Sequence, residues 1–542
     1  MYSREYSFKS AVYNGFACSY IDETISLHPE QMRILNLITE NSGMIFSAPT
    51  SFGKTFVVFE YIARKSPNCV VLIVPTLALV DEYKQKIIRK YKNAFSSYKI
   101  YTSVDVEKDY DFTQKSLFIL THDRVVNDEV ISIFSKIDFL VIDEVYKLKT
   151  DLNDNRVLIL NLAYKFLMEK ATKYLLLAPF LKEVKNIDKL NNKPIFYSND
   201  FSPVVNKVIE RRIGDENDRI AETEKVANEL KGTKRLVYFP TVTLLNKFIN
   251  NSSSFDTKPN GSDVLDEFVE WASNEIHEEW SILKALKKGV LVHHGQLPLG
   301  VRMLQLELFD NPDSGYDIML CTSTLLEGVN TACENIIITK PARNKTEFDA
   351  FDFFNLVGRT GRLCKYYLGT AYYIRGNNDR EYRKEEALKS IEFELTDNSI
   401  DMDINSEKYR DHPEFVSFLK EMGISYDDYI KHFATQFRYK TVKSMYDRFK
   451  QHKIDLYQEI SFMLKSDKPT KLHIIRAIYK IIEENQYNVP IRTFIINILT
   501  YKNTMSIRSI IEKVRRTYQK ADIDLIISEV LKLKNSYVEY DF

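Results

Sequence analysis

At 542 residues the chain is too long for one hydrophobic core, and its length corresponds to roughly three to four domains. Apolar residues make up 44% and charged residues 28%, which excludes a disordered or fibrous chain and fits soluble globular domains. The formal net charge is +0, so no overall field draws the chain to nucleic acid or anionic lipid, and any such site must be local.

The five cysteines, Cys18, Cys69, Cys321, Cys333 and Cys364, are scattered with no CxxC spacing. That spacing indicates neither a disulfide framework nor a zinc site, and it fits a reducing, cytoplasmic compartment. The N-terminus lacks the apolar core of a signal peptide, and no apolar run is long enough to span a bilayer, so no membrane partner is expected.

Residues 1–25 read as an N-terminal extension. His28-Pro29-Glu30-Gln31 then leads into an amphipathic helix over Met32–Ile38. A short apolar run, Gly43–Ser47, is followed by Ala48-Pro49-Thr50-Ser51-Phe52-Gly53-Lys54-Thr55 and by an apolar-periodic stretch from Phe56 to Ala63. Strand, tight loop and helix is the setting in which backbone N–H groups and a helix N-terminus grip a triphosphate, with Gly53 permitting close approach. In this Walker-type loop Lys54 would reach the β/γ-phosphates of ATP, and Thr55 would offer its hydroxyl to Mg²⁺. Thr50, Ser51 and Gly53 belong to the same cradle. The first position is Ala48 rather than glycine.

Apolar runs at Val70–Val74, Leu117–Leu120, Phe139–Ile142 and Tyr174–Leu177 alternate with helical patterns such as Leu77–Tyr91 and Arg156–Met168. Near-continuous apolar runs suit strands buried on both faces, so the spacing predicts a doubly wound α/β domain over 26–204. The polar stretch Ser198–Pro203 reads as a linker. Alternation restarts with Arg235–Phe239, Val290–His293, Asp317–Cys321, Asn335–Thr339 and Gly369–Ile374, which predicts a second α/β domain over 205–376. One Walker loop and two such domains give a tandem pair with ATP in the cleft.

Beyond it lies a region, 377–542, whose second half reads as helical, as at Ile507–Tyr518 and Asp522–Leu533. Residues 376–430 hold 15 acidic and 7 basic residues, whereas 431–542 hold 12 and 21. Basic side chains cluster at Arg438, Lys440, Lys443, Arg448 and Lys450, and again at Lys513, Arg515 and Arg516. Two readings stand side by side: contact with a nucleic-acid strand, or a solvated helical surface.

Asp143-Glu144 ends the strand Phe139–Ile142 some ninety residues after Lys54, the position of a Walker B pair. Asp143 would hold Mg²⁺, and Glu144 would orient or deprotonate the attacking water. In Gly358-Arg359-Thr360-Gly361-Arg362 two arginines three apart enter from the second domain, where they would stabilise charge as the terminal phosphoryl group leaves.

In this order the motifs resemble those of a superfamily-two DExH-box helicase, most similar to the Ski-two-like (superkiller-type) branch, over about residues 27–376. Ala48–Thr55 resembles motif I, Val74–Leu79 motif Ia, Leu120–Arg124 motif Ib and Asp143–Tyr146 motif II. Leu236–Thr241 resembles motif IV, Thr322–Asn330 motif V and Asn355–Arg362 motif VI. His293-His294-Gly295-Gln296-Leu297-Pro298, with Arg302 and Glu307, resembles the branch's own signature, and the two histidines are expected to pack rather than catalyse.

The resemblance implies two tandem RecA-like (P-loop) domains with parallel sheets, then an α-helical C-terminal domain. It implies ATP and Mg²⁺ as cofactors, with Gln31 reading the adenine and Gly328, Asn330, Arg359 and Arg362 completing the ATP site. Pro75, Thr76, Thr121, Arg124, Thr322 and Thr324 would hold the backbone of a single strand, DNA or RNA, without reading its sequence. The stretch Pro341–Asp352 falls where related helicases carry a strand-separating hairpin, here a short one. The chain departs from the pattern at Tyr146, at Ala178-Pro179-Phe180, which lacks the motif III hydroxyls, and at Asn355. These departures bear on duplex unwinding more than on hydrolysis. Compact bacterial proteins resembling this chain often work beside a nuclease in anti-phage defence. A second expectation is therefore a nucleotide-responsive nucleic-acid-binding scaffold or regulatory subunit with a nuclease or effector partner.

Overall fold

The computed structural model describes residues 8–49, 52–105, 110–111, 113–126, 128–145, 155–185, 187, 190, 192–201, 204–252, 263–325, 333–344, 346–361, 366–387, 389–392, 400–405, 407–465, 489–501 and 505–537. Contacts divide the chain into two compact units. One comprises Met1–Asp215 with Leu325–Tyr439, and the other Glu216–Thr324 with Lys440–Phe542.

The first unit is built on a seven-stranded parallel sheet. Its strands are β1 (Gly43–Ser47), β2 (Cys69–Val74), β3 (Lys99–Tyr101), β4 (Ser116–Thr121), β5 (Phe139–Ile142), β6 (Tyr174–Ala178) and β8 (Ile195–Ser198), in the order β3-β4-β2-β5-β6-β1-β8. Strand side chains alternate between the two faces, and both faces are covered. Met44, Phe46, Val70, Leu72, Leu117, Ile119 and Phe139 enter one core, while Ile45, Val71, Ile73, Phe118, Leu120 and Leu140 enter the other. Double burial explains why these strands read as unbroken apolar runs in the sequence. Helices Lys54–Lys65, Leu77–Gln85 and Asn155–Lys170 supply intervening layers, and the second passes directly into a short π-helical segment, Lys86–Lys90. β7 (Leu181–Lys185) is outside this sheet and pairs in parallel with β17 (Lys389–Glu392), a strand within the region read as largely helical.

The same unit holds β9 (Val205–Arg212), β13 (Asn335–Ile338) and β16 (Leu368–Arg375), where β16 pairs in parallel with both others. Strand β9, Val-Asn-Lys-Val-Ile-Glu-Arg-Arg, is mostly exposed and lacks an apolar run, so sequence pattern did not mark it. β14 (Ala342–Arg343) and β15 (Thr346–Glu347) form an antiparallel pair of two residues each, a small hairpin within Pro341–Asp352. Helix Ala350–Val357 follows.

In the second unit β10 (Arg235–Tyr238), β11 (Leu291–His293) and β12 (Ile318–Cys321) run parallel, with β12 between the others. The C-terminal helices Val489–Tyr501, Ile507–Thr517 and Ile523–Tyr537 bury Ile495, Ile496, Leu499, Ile510, Val514, Ile526 and Val530. Parallel-sheet α/β architecture followed by a helical C-terminal region is therefore the fold, as the sequence pattern predicts.

Candidate nucleotide site

β1 delivers the chain to the carboxyl edge of the sheet, where an open α/β fold places its ligands. The ladder continues one residue past the strand, Ala48 N donating to Ala178 O at 3.1 Å, and the backbone then turns, Phe52 N donating to Pro49 O at 3.1 Å. Phe52 is buried and lies edge-on to Phe46 with ring centroids 5.2 Å apart, which anchors the far side of the loop. Gly53 follows at φ +85°, and helix Lys54–Lys65 starts with no side chain capping it. A Cβ at Gly53 would meet nothing nearer than Gln31 Nε2 at 3.5 Å. The left-handed backbone, rather than space, therefore demands glycine here. Thr50 and Ser51 lie outside the described residues.

Lys54 folds back over this loop, its Nζ donating to Ala48 O at 2.6 Å and Pro49 O at 3.2 Å. Burial lowers its pKa to about 8, and the charge of Arg359 pushes the same way, against the carboxylates of Asp143 and Glu144. Lys54, Asp143, Glu144 and Arg359 thus share one electrostatic neighbourhood, although Arg359 is 305 residues from Lys54 in sequence. Arg359 sits in the turn after helix Ala350–Val357, next to Thr360 and Gly361. Gly361 has φ +73°, and a Cβ there would lie 2.1 Å from Val204 Cγ1, so this turn admits no side chain at that position.

Asp143 leaves the end of β5 with its N donating to Ile73 O at 3.0 Å, while its Oδ1 accepts from Glu144 N at 2.8 Å. Glu144 has φ +53°, a left-handed conformation rare outside glycine that is found disproportionately at functional sites. Tyr83 was not anticipated from the sequence. Its hydroxyl lies 3.0 Å from Thr55 Oγ1 and 3.4 Å from Asp143 Oδ2. Burial, with the nearby Asp143 carboxylate, holds its pKa well above the ordinary phenol value. The two groups predicted to hold Mg²⁺ therefore converge on one buried hydroxyl.

This donor set fits a magnesium ion. Mg²⁺ is commonly held by one or two carboxylates together with substrate phosphates and water, not by a cage of protein ligands. Among the described residues no cluster of three or more His, Cys, Asp or Glu side chains forms such a cage.

Gln31 is buried against the loop. Its Oε1 accepts from His28 N at 3.0 Å, and its Nε2 donates to Phe52 O at 3.3 Å. It ties the helix Pro29–Glu40 to the phosphate loop. Phe180, in the place of the motif III hydroxyls, has φ +48° and meets Phe351 edge-on at 6.2 Å. Phe351 belongs to the helix that leads to Arg359. Tyr146, Gly328, Asn330 and Arg362 lie outside the described residues.

The predicted strand contacts fall at strand ends in both units. Pro75 and Thr76 follow β2 half-buried, and Thr76 Oγ1 accepts from Leu79 N at 3.4 Å, capping helix Leu77–Gln85. Thr121 ends β4 and is buried, while Arg124 donates to Thr102 O. In the second unit Thr322 N donates to His293 O at 3.3 Å, and Thr324 Oγ1 lies 3.4 Å from His293 Nδ1. His293 and His294 are buried, and burial lowers their pKa values to about 4 and about 3. Both are neutral at pH 7, as packing residues would be.

Two of the C-terminal basic residues pair with carboxylates. Arg438 is buried 3.6 Å from Asp401 in the first unit, and in the second Arg515 pairs with Glu279 at 2.8 Å.

The chain is similar in sequence to several known proteins. The family model described as DEAD/DEAH box helicase matches residues 28–177. That stretch is a DEAD/DEAH box helicase domain. It contains the phosphate loop, Asp143, Glu144 and Tyr83, and a domain of this kind implies ATP binding. Anti-bacteriophage protein B of Escherichia coli (strain K12) is 26% identical over 390 residues, covering 70% of this chain and 50% of that protein. Helicase POLQ-like of Homo sapiens is 25% identical over 414 residues, covering 66% and 36%. Hachiman protein HamB of Bacillus cereus is 33% identical over 119 residues, covering 21% and 10%. The match thus spans half or less of each of these relatives. Among the described residues no helix is long and apolar enough to cross a membrane.

Proposed function

We propose that this protein is an ATP-driven helicase or translocase of the Ski-two-like type, hydrolysing ATP on single-stranded DNA or RNA in the cytoplasm. The observation that carries this reading is the convergence of Lys54, Asp143, Glu144 and Arg359 beside a glycine-started helix at the carboxyl edge of a parallel sheet. Lys54 would bind the β/γ-phosphates once drawn off the Ala48 and Pro49 carbonyls. Thr55 and Asp143 would hold Mg²⁺, and a cation held there would offset negative charge on the phosphates. Glu144 would orient the attacking water, and Arg359 would stabilise the departing phosphoryl charge. Gln31, Thr50, Ser51, Gly53, Gly328, Asn330 and Arg362 complete the proposed ATP site. Pro75, Thr76, Thr121, Arg124, Thr322 and Thr324 form the proposed strand contacts. The domain boundaries of this reading are 26–204 and 205–376 for the RecA-like pair, between an extension over 1–25 and a helical domain over 377–542.

Steady-state ATP turnover measured alone and with single-stranded DNA, single-stranded RNA and duplexes tests it. Strong stimulation by one strand type names the substrate. No turnover with any single strand overturns the motor.

Two observations favour a second reading, a nucleotide-responsive subunit that acts through a nuclease or effector partner in anti-phage defence. Phe180 stands in place of the motif III hydroxyls and meets Phe351, on the helix that leads to Arg359. The chain also resembles proteins named Anti-bacteriophage protein B and Hachiman protein HamB. Tight ATP binding with little turnover on every nucleic acid is the outcome this reading expects.

A further inference from the structure

Helix Leu77–Gln85 sends one side chain toward the phosphate loop. Tyr83 is 5% exposed, and its ring stands edge-on to Phe59 of the loop's own helix with centroids 5.4 Å apart. This packing delivers a hydroxyl to a point 3.0 Å from Thr55 Oγ1 and 3.4 Å from Asp143 Oδ2.

A phenol has one hydrogen to donate and lone pairs to accept with, whereas an ionised carboxylate only accepts. The Tyr83 hydrogen therefore goes to Asp143 Oδ2, and the Tyr83 oxygen is left to accept the hydrogen of Thr55. That choice matters for a cation. A threonine hydroxyl binds a metal through a lone pair, so its hydrogen must be taken up elsewhere. With Tyr83 accepting it, the lone pairs of Thr55 are turned away from Tyr83 and left for a cation. Asp143 is held at both oxygens, by Glu144 N at 2.8 Å and by Tyr83.

We propose that Tyr83 is a positioning residue for the catalytic cation, fixing the orientations of Thr55 and Asp143 through its hydroxyl before the ion and nucleotide arrive. The proposal rests on the ATP-site reading above. It adds a residue that no motif contains. Outer groups that orient metal ligands typically change metal affinity by about 10–100-fold when removed.

The competing role is plain core packing, which the ring performs in any case. Two substitutions in the full-length protein separate the two. Tyr83→Phe keeps the ring and removes the hydroxyl. Phe59→Leu loosens the ring's packing and leaves the hydroxyl. Binding of a fluorescent ATP analogue is followed as Mg²⁺ is titrated, and again in EDTA. Binding of Mn²⁺ to the nucleotide-loaded protein is read independently by electron paramagnetic resonance.

The Mg²⁺ concentration at half-effect is expected to rise about tenfold or more in Tyr83→Phe. Mn²⁺ affinity should fall in parallel, with nucleotide affinity in EDTA unchanged. Phe59→Leu is expected to keep the wild-type Mg²⁺ dependence. An unchanged Mg²⁺ dependence in Tyr83→Phe overturns the proposal, and so does an equal shift in both variants, which would reduce Tyr83 to packing. Wild-type protein that binds no nucleotide with or without Mg²⁺ would overturn the ATP-site reading together with the proposal.

Discussion

The phosphate-loop region and the C-terminal helices are both rich in charge, and they use it in opposite ways. Around the loop, Lys54 at the start of a helix, Asp143 and Glu144 after β5, and Arg359 in the turn after a helix are brought together from distant points of the chain. In the C-terminal helices Arg492, Arg508 and Arg515 find carboxylates and carbonyls of their own unit. Arg492 donates from Nη2 to Glu529 Oε1 at 3.0 Å, with a second contact from Nε to Oε2. Arg508 donates to Ser273 O and lies 2.9 Å from Glu278, and Arg515 pairs with Glu279. Counting charges cannot separate these cases. Position can, because the carboxyl edge of a parallel sheet is where an open α/β fold places its ligands, while a helix flank can turn its arginines onto neighbouring helices.

The comparison sharpens first at Arg492. Both members of its pair with Glu529 are nearly buried, with side chains 9% and 7% exposed. Arg492→Ala leaves a buried carboxylate without its partner and should cost about 3–5 kcal/mol in urea unfolding. Next comes the loop. Lys54→Ala removes the proposed charged donor to phosphate and should weaken ATP binding by about 2–3 kcal/mol, roughly 30- to 160-fold, with little change in unfolding midpoint. A loss of stability as large as that of Arg492→Ala would erase the contrast between a functional and a structural cation.

The histidines give a pH test of intermediate size. Their folded pKa values, about 4 and about 3, lie below the ordinary value of 6.5. Between pH 6.5 and about 4 the unfolded chain therefore binds more protons than the folded one, and stability falls as the pH drops through that window. At pH 5 each ring should cost about 2 kcal/mol relative to pH 7.5. A His293→Gln/His294→Gln variant should lose that part of the pH dependence in paired denaturant titrations. The smallest effect belongs to Arg515, whose pair with Glu279 is 40% and 45% exposed. Arg515→Ala should change stability by less than about 1 kcal/mol and leave single-strand affinity at low salt unaltered.

Much of this was legible in the sequence because the chemistry restricts the residues. A buried parallel strand must be apolar throughout, so β1, β2, β4, β5 and β6 could be read within a residue or two, and the carboxylates after β5 followed. Gly53 stood out in the Walker-type loop, and its left-handed backbone is a conformation that favours glycine. Tyr83 did not. It follows Leu79 and Val80 on an amphipathic helix, and an aromatic residue at that spacing looks like any core side chain. Strand β9 escaped because its exposed, polar residues carry no period of their own. The C-terminal ion pairs escaped because each joins positions with no sequence signal linking them, 37 residues apart for Arg492 and Glu529 and 236 for Arg515 and Glu279.

The most direct test of the central claim is to measure ATP affinity and turnover side by side in Glu144→Gln, a substitution that keeps the shape and removes the charge beside Asp143. ATP binding at wild-type affinity, with strand-stimulated turnover lowered at least about a hundredfold, is the predicted result. Wild-type turnover in this variant would contradict the account, because water activation would then lie elsewhere and the convergence on Lys54 would have no catalytic meaning.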